Sequence, residues 1–461
     1  MTTTLLRRTS VAAAAIVAAT TLGAATPATA DSPTARTLLS LLDIATDPAR
    51  ARSASSAVTP VPPSQCEALY RARCYGPPQI NRAYGIDKLH RKGLTGKGRT
   101  VLIPIPFHNP HLARDVAAYS RHWGLPEADL EVLQYGDVPT ADPAKPEEAI
   151  CAAEGAVDVQ AVHAIAPHAK IIVVETPTNQ LGGTRGLRDL IDAIGWATRI
   201  RQVDAVSMSW GAYEHNFSEE AGKPGDYRLL TGLRAGLRSA YQRGTTLIAA
   251  SGNTGPTGPN YTGTVLYPHR SVAWPASDSL VTAVGGTRVN LDDRGRRREP
   301  DQVWTDEGGV ATGAGISAVF PRPAFQDRAR HVVGDQRGSV DLAMNGSGRA
   351  REWFYSTYNA LPGQQPGWIR VAGTSIAAPK VAGMVALAAQ RAGHRLGDIR
   401  PLLYTAPGSS RLGLYDLTTG NNTANGVPGF PARRGYDLPS GVGTVGNASR
   451  FVEALAAAAR T

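Results

Sequence analysis

The feature that most restricts the fold is an alternation of short apolar runs with longer amphipathic segments along most of the chain. The apolar runs have strand length and lie at 100–105, 170–175, 203–209, 245–251 and 280–284. The segments of helical periodicity between and after them lie at 112–123, 147–165, 183–199, 229–243 and 375–392. Apolar strands separated by helices are typical of a parallel sheet that is covered on both faces. The sequence therefore predicts an α/β fold whose functional residues gather at the carboxyl ends of the strands.

Composition narrows the class of protein further. Hydrophobic residues make up 42% of the 461, enough for a sizeable core, so wholesale disorder is excluded. The 49 Gly and 33 Pro have no period, which excludes collagen and favours a turn-rich fold. The net charge is +10, but no stripe of basic and aromatic residues accompanies it, so we expect no nucleic-acid partner.

The N-terminus has the pattern of a secretory signal. Residues 1–30 contain Arg7 and Arg8, an apolar run over 11–23 and small residues at 28–30. The run is too short for a membrane span, and no later stretch is long enough, so we expect a secreted chain without a membrane-spanning helix. Residues 31–75 are expected to be a short pro-segment or spacer, and 76–461 a single large domain.

The three cysteines fit an exported protein. Cys66 and Cys74 lie eight residues apart, and an oxidising compartment favours a local disulfide between them. Cys151 then has no predicted disulfide partner. We interpret it as a buried apolar residue rather than a reactive thiol, because no histidine and asparagine pattern of a thiol protease surrounds it.

A candidate nucleophile lies in the segment Gly373-Thr374-Ser375, at the start of a predicted helix. A serine there can direct its hydroxyl at a substrate carbonyl, while the free N–H groups of the helix start favour a developing negative charge. The alternative is a plain helix-capping serine, which is the commoner use of this residue.

A candidate acid pair lies on the predicted helix 147–165. Glu154 and Asp158 are four residues apart, so their carboxyl groups share one helix face. A solvated face is the alternative, but apolar residues surround the pair on most sides. Carboxyls in such surroundings are suited to acid and base chemistry. We interpret His108, His111 and His163 as surface or core histidines, because none has a glycine-flanked setting.

These segments resemble known peptidases. The stretch from Gly373 to Pro379 is similar to the nucleophile motif of subtilisins and sedolisins, and the stretch from Glu154 to Pro167 resembles the base helix of the sedolisin family. Further similar segments lie at 96–101, 207–211, 274–277 and 284–287. The resemblance implies a subtilisin-like fold and a serine peptidase. It also implies that Ser375 is the nucleophile, Glu154 its general base and Asp158 the residue that orients Glu154. The substrate backbone would lie along the segment Ser209, Trp210 and Gly211.

Asn253 follows the apolar run 245–251, where Asn and Gly could simply form a turn. Under the resemblance, Asn253 lies at the oxyanion position. Sedolisins carry Asp there and subtilisins carry Asn. The sequence thus combines a sedolisin-like base with a subtilisin-like oxyanion donor.

Two aspartates near the C-terminus, Asp416 and Asp437, lie in glycine-rich loops. Oxygen ligands of this kind suit Ca²⁺, although turns use the same residues. The segment resembles the calcium loop of sedolisins. The resemblance implies one structural Ca²⁺ held by the carboxylates of Asp416 and Asp437 and by the carbonyls of Leu417, Arg433 and Gly435.

Together these features predict a secreted, monomeric serine-type endopeptidase that hydrolyses peptide bonds in proteins through a Ser/Glu/Asp triad and an acyl-enzyme. The alternative is a secreted, non-catalytic homologue that binds peptides or cell-wall material with the same scaffold.

Overall fold

The computed structural model describes residues 59–358 and 366–459. The predicted signal peptide, 1–30, and the segment 31–58 lie outside the described residues. Within the described ranges, no helix combines the length and apolar character needed to cross a membrane.

A ten-stranded sheet forms the centre of the molecule. Its strands are β2 (Thr100–Pro106), β3 (Asp129–Gln134), β4 (Lys170–Thr176), β5 (Ala205–Met208), β7 (Thr246–Ala250), β9 (Thr282–Arg288), β10 (Gln302–Val303), β13 (Leu342–Asn345), β16 (Leu414–Tyr415) and β17 (Thr444–Val445). They lie in the order β16-β17-β13-β9-β7-β5-β2-β4-β3, with β10 paired to β9. Every neighbouring pair from β17 to β3 is parallel. The predicted α/β fold with a mostly parallel sheet is confirmed.

Helices cover both faces of this sheet because successive residues of its strands point to opposite sides. Val101 and Ile103 of β2 belong to the core on one face, whereas Leu102 belongs to the core on the other. The helices that contribute to the first core are α2 (Pro77–Tyr84), α3 (Ile86–His90), α4 (Leu112–Trp123), α5 (Pro146–Ile165), α11 (Thr374–Ala392) and α13 (Ala448–Ala458). Those of the second core are α6 (Gly183–Ile200), α7 (Glu214–Glu220), α8 (Arg228–Gly232) and α9 (Ala235–Gln242).

Glycines let α5 approach its neighbours closely. A Cβ on Gly155 would lie 3.2 Å from Ile105 of β2, and a Cβ on Gly383 of α11 would lie 2.8 Å from Ile165 of α5. A larger residue at position 155 would push α5 away from β2, and one at position 383 would push α11 away from α5. This packing fixes the carboxyl-bearing helix α5 against both the sheet and α11.

The folded unit extends N-terminal of residue 76. Helix α1 (Pro63–Tyr70) leads to β1 (Arg73–Tyr75), which pairs with β14 (Ala350–Ser356), and β14 pairs with β15 (Gly367–Val371). A disulfide joins Cys66 to Cys74, so the predicted pairing is present. Residues 63–75, which we expected to belong to a spacer, therefore pack as part of the same domain.

The remaining elements are short. They are β6 (Ala212–Tyr213) paired with β8 (Ala273–Trp274), β11 (Gly315–Pro321) paired with β12 (Gln336–Ser339), and the helices α10 (Arg330–Val333) and α12 (Arg400–Leu403). Strand β6 begins four residues beyond the end of β5, and the β6–β8 pair adjoins the candidate site.

Candidate active site

Helix α5 carries the two predicted carboxyl groups into the interior. Asp158 is fully buried and accepts a hydrogen bond of 2.8 Å from the hydroxyl of Ser209. The Asp158 Oδ2 and Glu154 Oε1 atoms are both buried, and neither has a hydrogen-bond partner among the described residues. A proton shared between the two carboxyls would satisfy both atoms. The alternative of a solvated helix face is excluded by this burial.

Burial also shifts the acidity of the pair. It raises the pKa of Glu154 to about 7, and a hydrogen bond with Ser375 offsets part of that rise. The pKa of Asp158 is raised well above its usual range, first by burial and then by the charge of Glu154. Burial raises the pKa of both carboxyls, so the pair can hold a proton up to near neutral pH. Glu154, the member beside Ser375, is the one placed to accept the Ser375 proton once the pair ionises.

Ser375 lies in the first turn of α11, which begins at Thr374. The preceding residue, Gly373, has a φ of 137° and donates its N–H to the Gly346 carbonyl at 2.7 Å. Only glycine adopts this conformation readily, and here it turns the chain sharply from β15 into the helix. The side chain of Ser375 is thereby placed at the start of the helix.

Asn253 follows β7 and is oriented by Thr374. Its Oδ1 accepts hydrogen bonds from the Thr374 N–H at 2.8 Å and from the Thr374 hydroxyl at 3.0 Å. The amide nitrogen has no partner among the described residues, so this N–H₂ group is the donor left for a ligand. The predicted site did not include Thr374, although Thr374 stands directly before Ser375 in the resembled motif.

The segment Ser209–Gly211 continues β5, and two of its side chains make hydrogen bonds inside the protein. The Ser209 hydroxyl contacts the acid pair, and it also lies 3.3 Å from the Ser375 carbonyl. Trp210 is buried and donates its indole N–H to the Pro104 carbonyl at 2.9 Å. The side chains of both residues are thus directed inward, which leaves the backbone of the segment as the part that can meet a substrate.

The histidines lie apart from this group. His108 contacts the buried Glu175 at 2.8 Å and His111 contacts Thr357 at 2.8 Å. His163 is buried against the Pro126 carbonyl, and burial lowers its pKa to about 4. Cys151 is buried and unpaired, and burial raises the pKa of its thiol to about 12, so it is not an activated nucleophile.

The two aspartates of the predicted calcium loop approach each other. Asp437 is buried, and its carboxylate accepts hydrogen bonds from the N–H groups of Arg433 and Ser440. Asp416 accepts a hydrogen bond from Gly435 N–H at 2.9 Å, while its Oδ1 atom is buried without a partner among the described residues. That unpaired oxygen fits a cation ligand. No group of three or more His, Cys, Asp or Glu side chains suited to a metal occurs within 59–358 and 366–459, so main-chain carbonyls would have to complete the site.

The chain belongs to the subtilase family, because the model of that family matches residues 148–406, more than half of its length. Within this class it is similar to the sedolisins. It is 29% identical to kumamolisin of Bacillus sp. (strain MN-32) over 383 residues, which cover 80% of this chain and 62% of kumamolisin. It is also 29% identical to sedolisin of Pseudomonas sp. (strain 101) over 212 residues, 45% of this chain and 34% of that protein. The chain thus spans less than two thirds of the length of these relatives.

The structural comparison agrees on the fold. Pseudomonas sedolisin, a serine-carboxyl proteinase solved with two molecules of pseudo-iodotyrostatin, superposes with a TM-score of 0.67 at 22% identity. The match covers 84% of this chain and 98% of the sedolisin chain. The predicted subtilisin-like architecture and the resemblance to sedolisins are both confirmed.

Proposed function

We propose that this protein is a serine-type endopeptidase that hydrolyses peptide bonds in proteins through an acyl-enzyme. One observation carries the proposal: the Ser209 hydroxyl lies 2.8 Å from the buried Asp158 carboxyl and 3.3 Å from the Ser375 carbonyl, so the acid pair and Ser375 meet at one place. Ser375 also lowers the pKa of Glu154, as expected of a neighbouring hydroxyl. A hydroxyl in contact with a carboxyl that ionises near neutral pH is an activated nucleophile. The names of the relatives, which include serine-carboxyl peptidases, support the same assignment.

The chemistry follows the positions of these groups. Glu154 accepts the proton of Ser375 as its oxygen attacks the substrate carbonyl, and Asp158 orients Glu154 and stabilises its charge through the shared proton. The Asn253 amide and the Ser375 backbone N–H donate to the oxyanion that forms. Glu154 then returns its proton to the leaving amine, and water releases the acyl group by the same steps in reverse. The backbone of Ser209–Gly211 is the edge along which the substrate would lie.

We further propose one structural Ca²⁺ at Asp416 and Asp437, with the carbonyls of Leu417, Arg433 and Gly435 as remaining ligands. The unpaired, buried oxygen of Asp416 supports it. When bound, the ion would neutralise two neighbouring carboxylates and stabilise the C-terminal loop; it takes no part in the bond cleavage.

We propose that the protein is exported and acts as a monomer on protein or peptide substrates. The Cys66–Cys74 disulfide supports export, since such bonds persist in oxidising compartments.

The test is hydrolysis of an unstructured protein from acid to neutral pH by the wild type and by Ser375→Ala. Ser375→Ala is expected to lose turnover by about 10⁴-fold or more while keeping its Tm. Ser410→Ala, at an exposed turn, is the matched control and should keep full turnover. Cleavage by Ser375→Ala at the wild-type rate would reject the proposal in favour of another site, and the absence of any cleavage by the wild type would favour a non-catalytic binding protein.

A further inference from the structure

A crevice lies between the segments that flank the candidate nucleophile. Strands β5 and β7 are paired up to Met208 and Ala249. Beyond that point β5 continues to Gly211 and then pairs through β6 with β8, while β7 turns at Gly252, which has a φ of 104°. The two continuations separate at the carboxyl edge of the sheet, where open parallel sheets hold their ligands.

The side chain of Tyr213 fills this crevice beside the oxyanion donor. A Cβ on Gly252, the residue before Asn253, would lie 2.7 Å from the Tyr213 hydroxyl oxygen and 3.8 Å from the Ala273 Cβ. A Cβ on Gly258 would lie 2.1 Å from the Tyr213 ring. The Tyr213 side chain thus lies against the backbone of both glycines, with its hydroxyl at Gly252 and its ring at Gly258.

Tyr213 is held firmly in this place. Its hydroxyl shares a 2.7 Å hydrogen bond with Thr254, and the Thr254 hydroxyl donates in turn to the Thr257 carbonyl at 2.6 Å. The backbone of Tyr213 is paired with Ala273 in the β6–β8 ladder. The side chain is only 9% exposed, so it is part of the wall rather than a mobile surface group.

The substrate residue that contributes the scissile carbonyl must place this carbonyl between Ser375 and Asn253. Tyr213 occupies the place beside Asn253 that the side chain of this substrate residue would need. We infer that Tyr213 is a specificity-determining residue that restricts this substrate position to small side chains such as Gly, Ala and Ser. The inference rests on the proposed peptidase function and names the substrate class of that same site.

The first experiment uses only the wild-type protein. An unstructured protein is digested, and the residue before each cleaved bond is identified by mass spectrometry. Cleavage should follow Gly, Ala and Ser predominantly. In three peptides that differ only at this residue, the one with Ala should exceed those with Leu and Phe by at least about 10-fold in kcat/KM, because a closed pocket rejects added methylenes. Equal cleavage after Ala and Phe would overturn the inference, whereas cleavage of no peptide at all would overturn the proposed function instead.

The second experiment changes the crevice. Tyr213→Ala should raise kcat/KM for the Leu and Phe peptides at least about 10-fold relative to the Ala peptide. Tyr213→Phe keeps the ring, loses only the hydrogen bond to Thr254, and should keep the wild-type preference. Turnover of the Ala peptide and the Tm report whether each variant is folded. If Tyr213→Ala does not fold, the same peptides are assayed with Tyr213→Val. A folded variant with a shortened side chain that still rejects Leu and Phe would show that another residue sets the preference.

Discussion

Burial changes the acidity of both carboxyl groups that we propose as the base and its partner. Glu154 and Asp158 carry the same chemical group, but Asp158 is fully buried and has Ser209 as its hydrogen-bond partner, whereas Glu154 lies beside Ser375. Burial raises the pKa of both, because a charge in this place is poorly solvated. Their neighbours, rather than their residue type, support the two proposed roles.

Glu154→Gln is the first test at the scale of single residues. An amide of the same shape cannot accept the Ser375 proton, so kcat should fall by about 10³-fold or more, close to the loss in Ser375→Ala. The measurement is kcat and KM on one peptide, with Glu127→Gln on the surface as control. Substantial turnover by Glu154→Gln would mean that another group accepts the proton.

Asn253 should determine the alkaline side of the pH profile. The amide donates at any ordinary pH, whereas a carboxyl at this position must be protonated to donate. Wild-type kcat/KM should rise as the acid pair ionises, with an apparent pKa that belongs to the pair, and remain high above it. Asn253→Asp should introduce a fall of about 100-fold toward alkaline pH.

The measurement is kcat/KM against pH for both forms on the same peptide. Thr374 can still donate to either side chain at position 253, so the loop geometry is retained. A narrow acidic optimum in the wild type that Asn253→Asp does not change would contradict the prediction.

At the scale of elements, periodicity predicted the main helices and strands closely. The predicted helix 112–123 matches α4, and the strand predicted over 170–175 is β4 with one further residue. These elements are determined by local patterns of apolar residues, which one sequence contains. The predicted helix 229–243, however, is divided into α8 and α9. Gly236 there lies so close to α6 that a Cβ would be 1.9 Å from the Ile191 carbonyl oxygen.

The periodicity of apolar residues could not predict contacts between segments that are distant in the sequence. The sheet of β1, β14 and β15 joins segments that lie far apart in the chain, and none of its strands has an alternating pattern that sets it apart. Similarly, the candidate catalytic residues could be named from motifs, but the orientation of Asn253 by Thr374 depends on two loops that meet only in the folded state. Tertiary contacts of this kind require the structure.

The C-terminal loop supports a prediction about calcium. Chelation should lower the Tm of the wild type, because an ion that binds only the folded state stabilises it, by about 2.7 kcal/mol at a free concentration 100 times Kd. Asp416→Ala should melt at a lower temperature and should no longer respond to chelator. Asp335→Ala, which removes an exposed carboxylate, is the control. Identical melting of wild type and Asp416→Ala, with and without calcium, would exclude the site.

At the scale of the whole molecule, a buried carboxyl outside the candidate site affects stability. Glu214 at the start of α7 contacts the Ser317 hydroxyl and the Ala318 N–H at 2.7 Å each, and burial raises its pKa to about 7. The folded protein therefore keeps this proton at a pH where the unfolded chain has released it. Glu214 contributes full stability below its ordinary pKa of 4.5, and the contribution is lost as pH rises from there to about 7.

Glu214→Gln should remove this pH dependence. The amide stays neutral, and its oxygen can still accept a hydrogen bond from the Ser317 hydroxyl or the Ala318 N–H. The variant should therefore be more stable than the wild type at pH 8, by on the order of 3 kcal/mol, and similar to it near pH 4. The measurement is the free energy of unfolding at both pH values. A constant difference between the two proteins at every pH would show that the carboxyl does not titrate in this range.

The groups of the candidate site come from parts of the chain that are made at different times. Ser209 and Ser375, whose atoms lie 3.3 Å apart, are separated by 166 residues, and Thr374 and Asn253 by 121. A chain emerging from the ribosome has therefore completed the proposed base helix, substrate segment and oxyanion loop before the proposed nucleophile is synthesised. Since α11 must also pack against the sheet before Ser375 meets Glu154, a nascent chain that ends before α11 lacks the proposed active site. The proposed peptidase activity would thus arise late in synthesis.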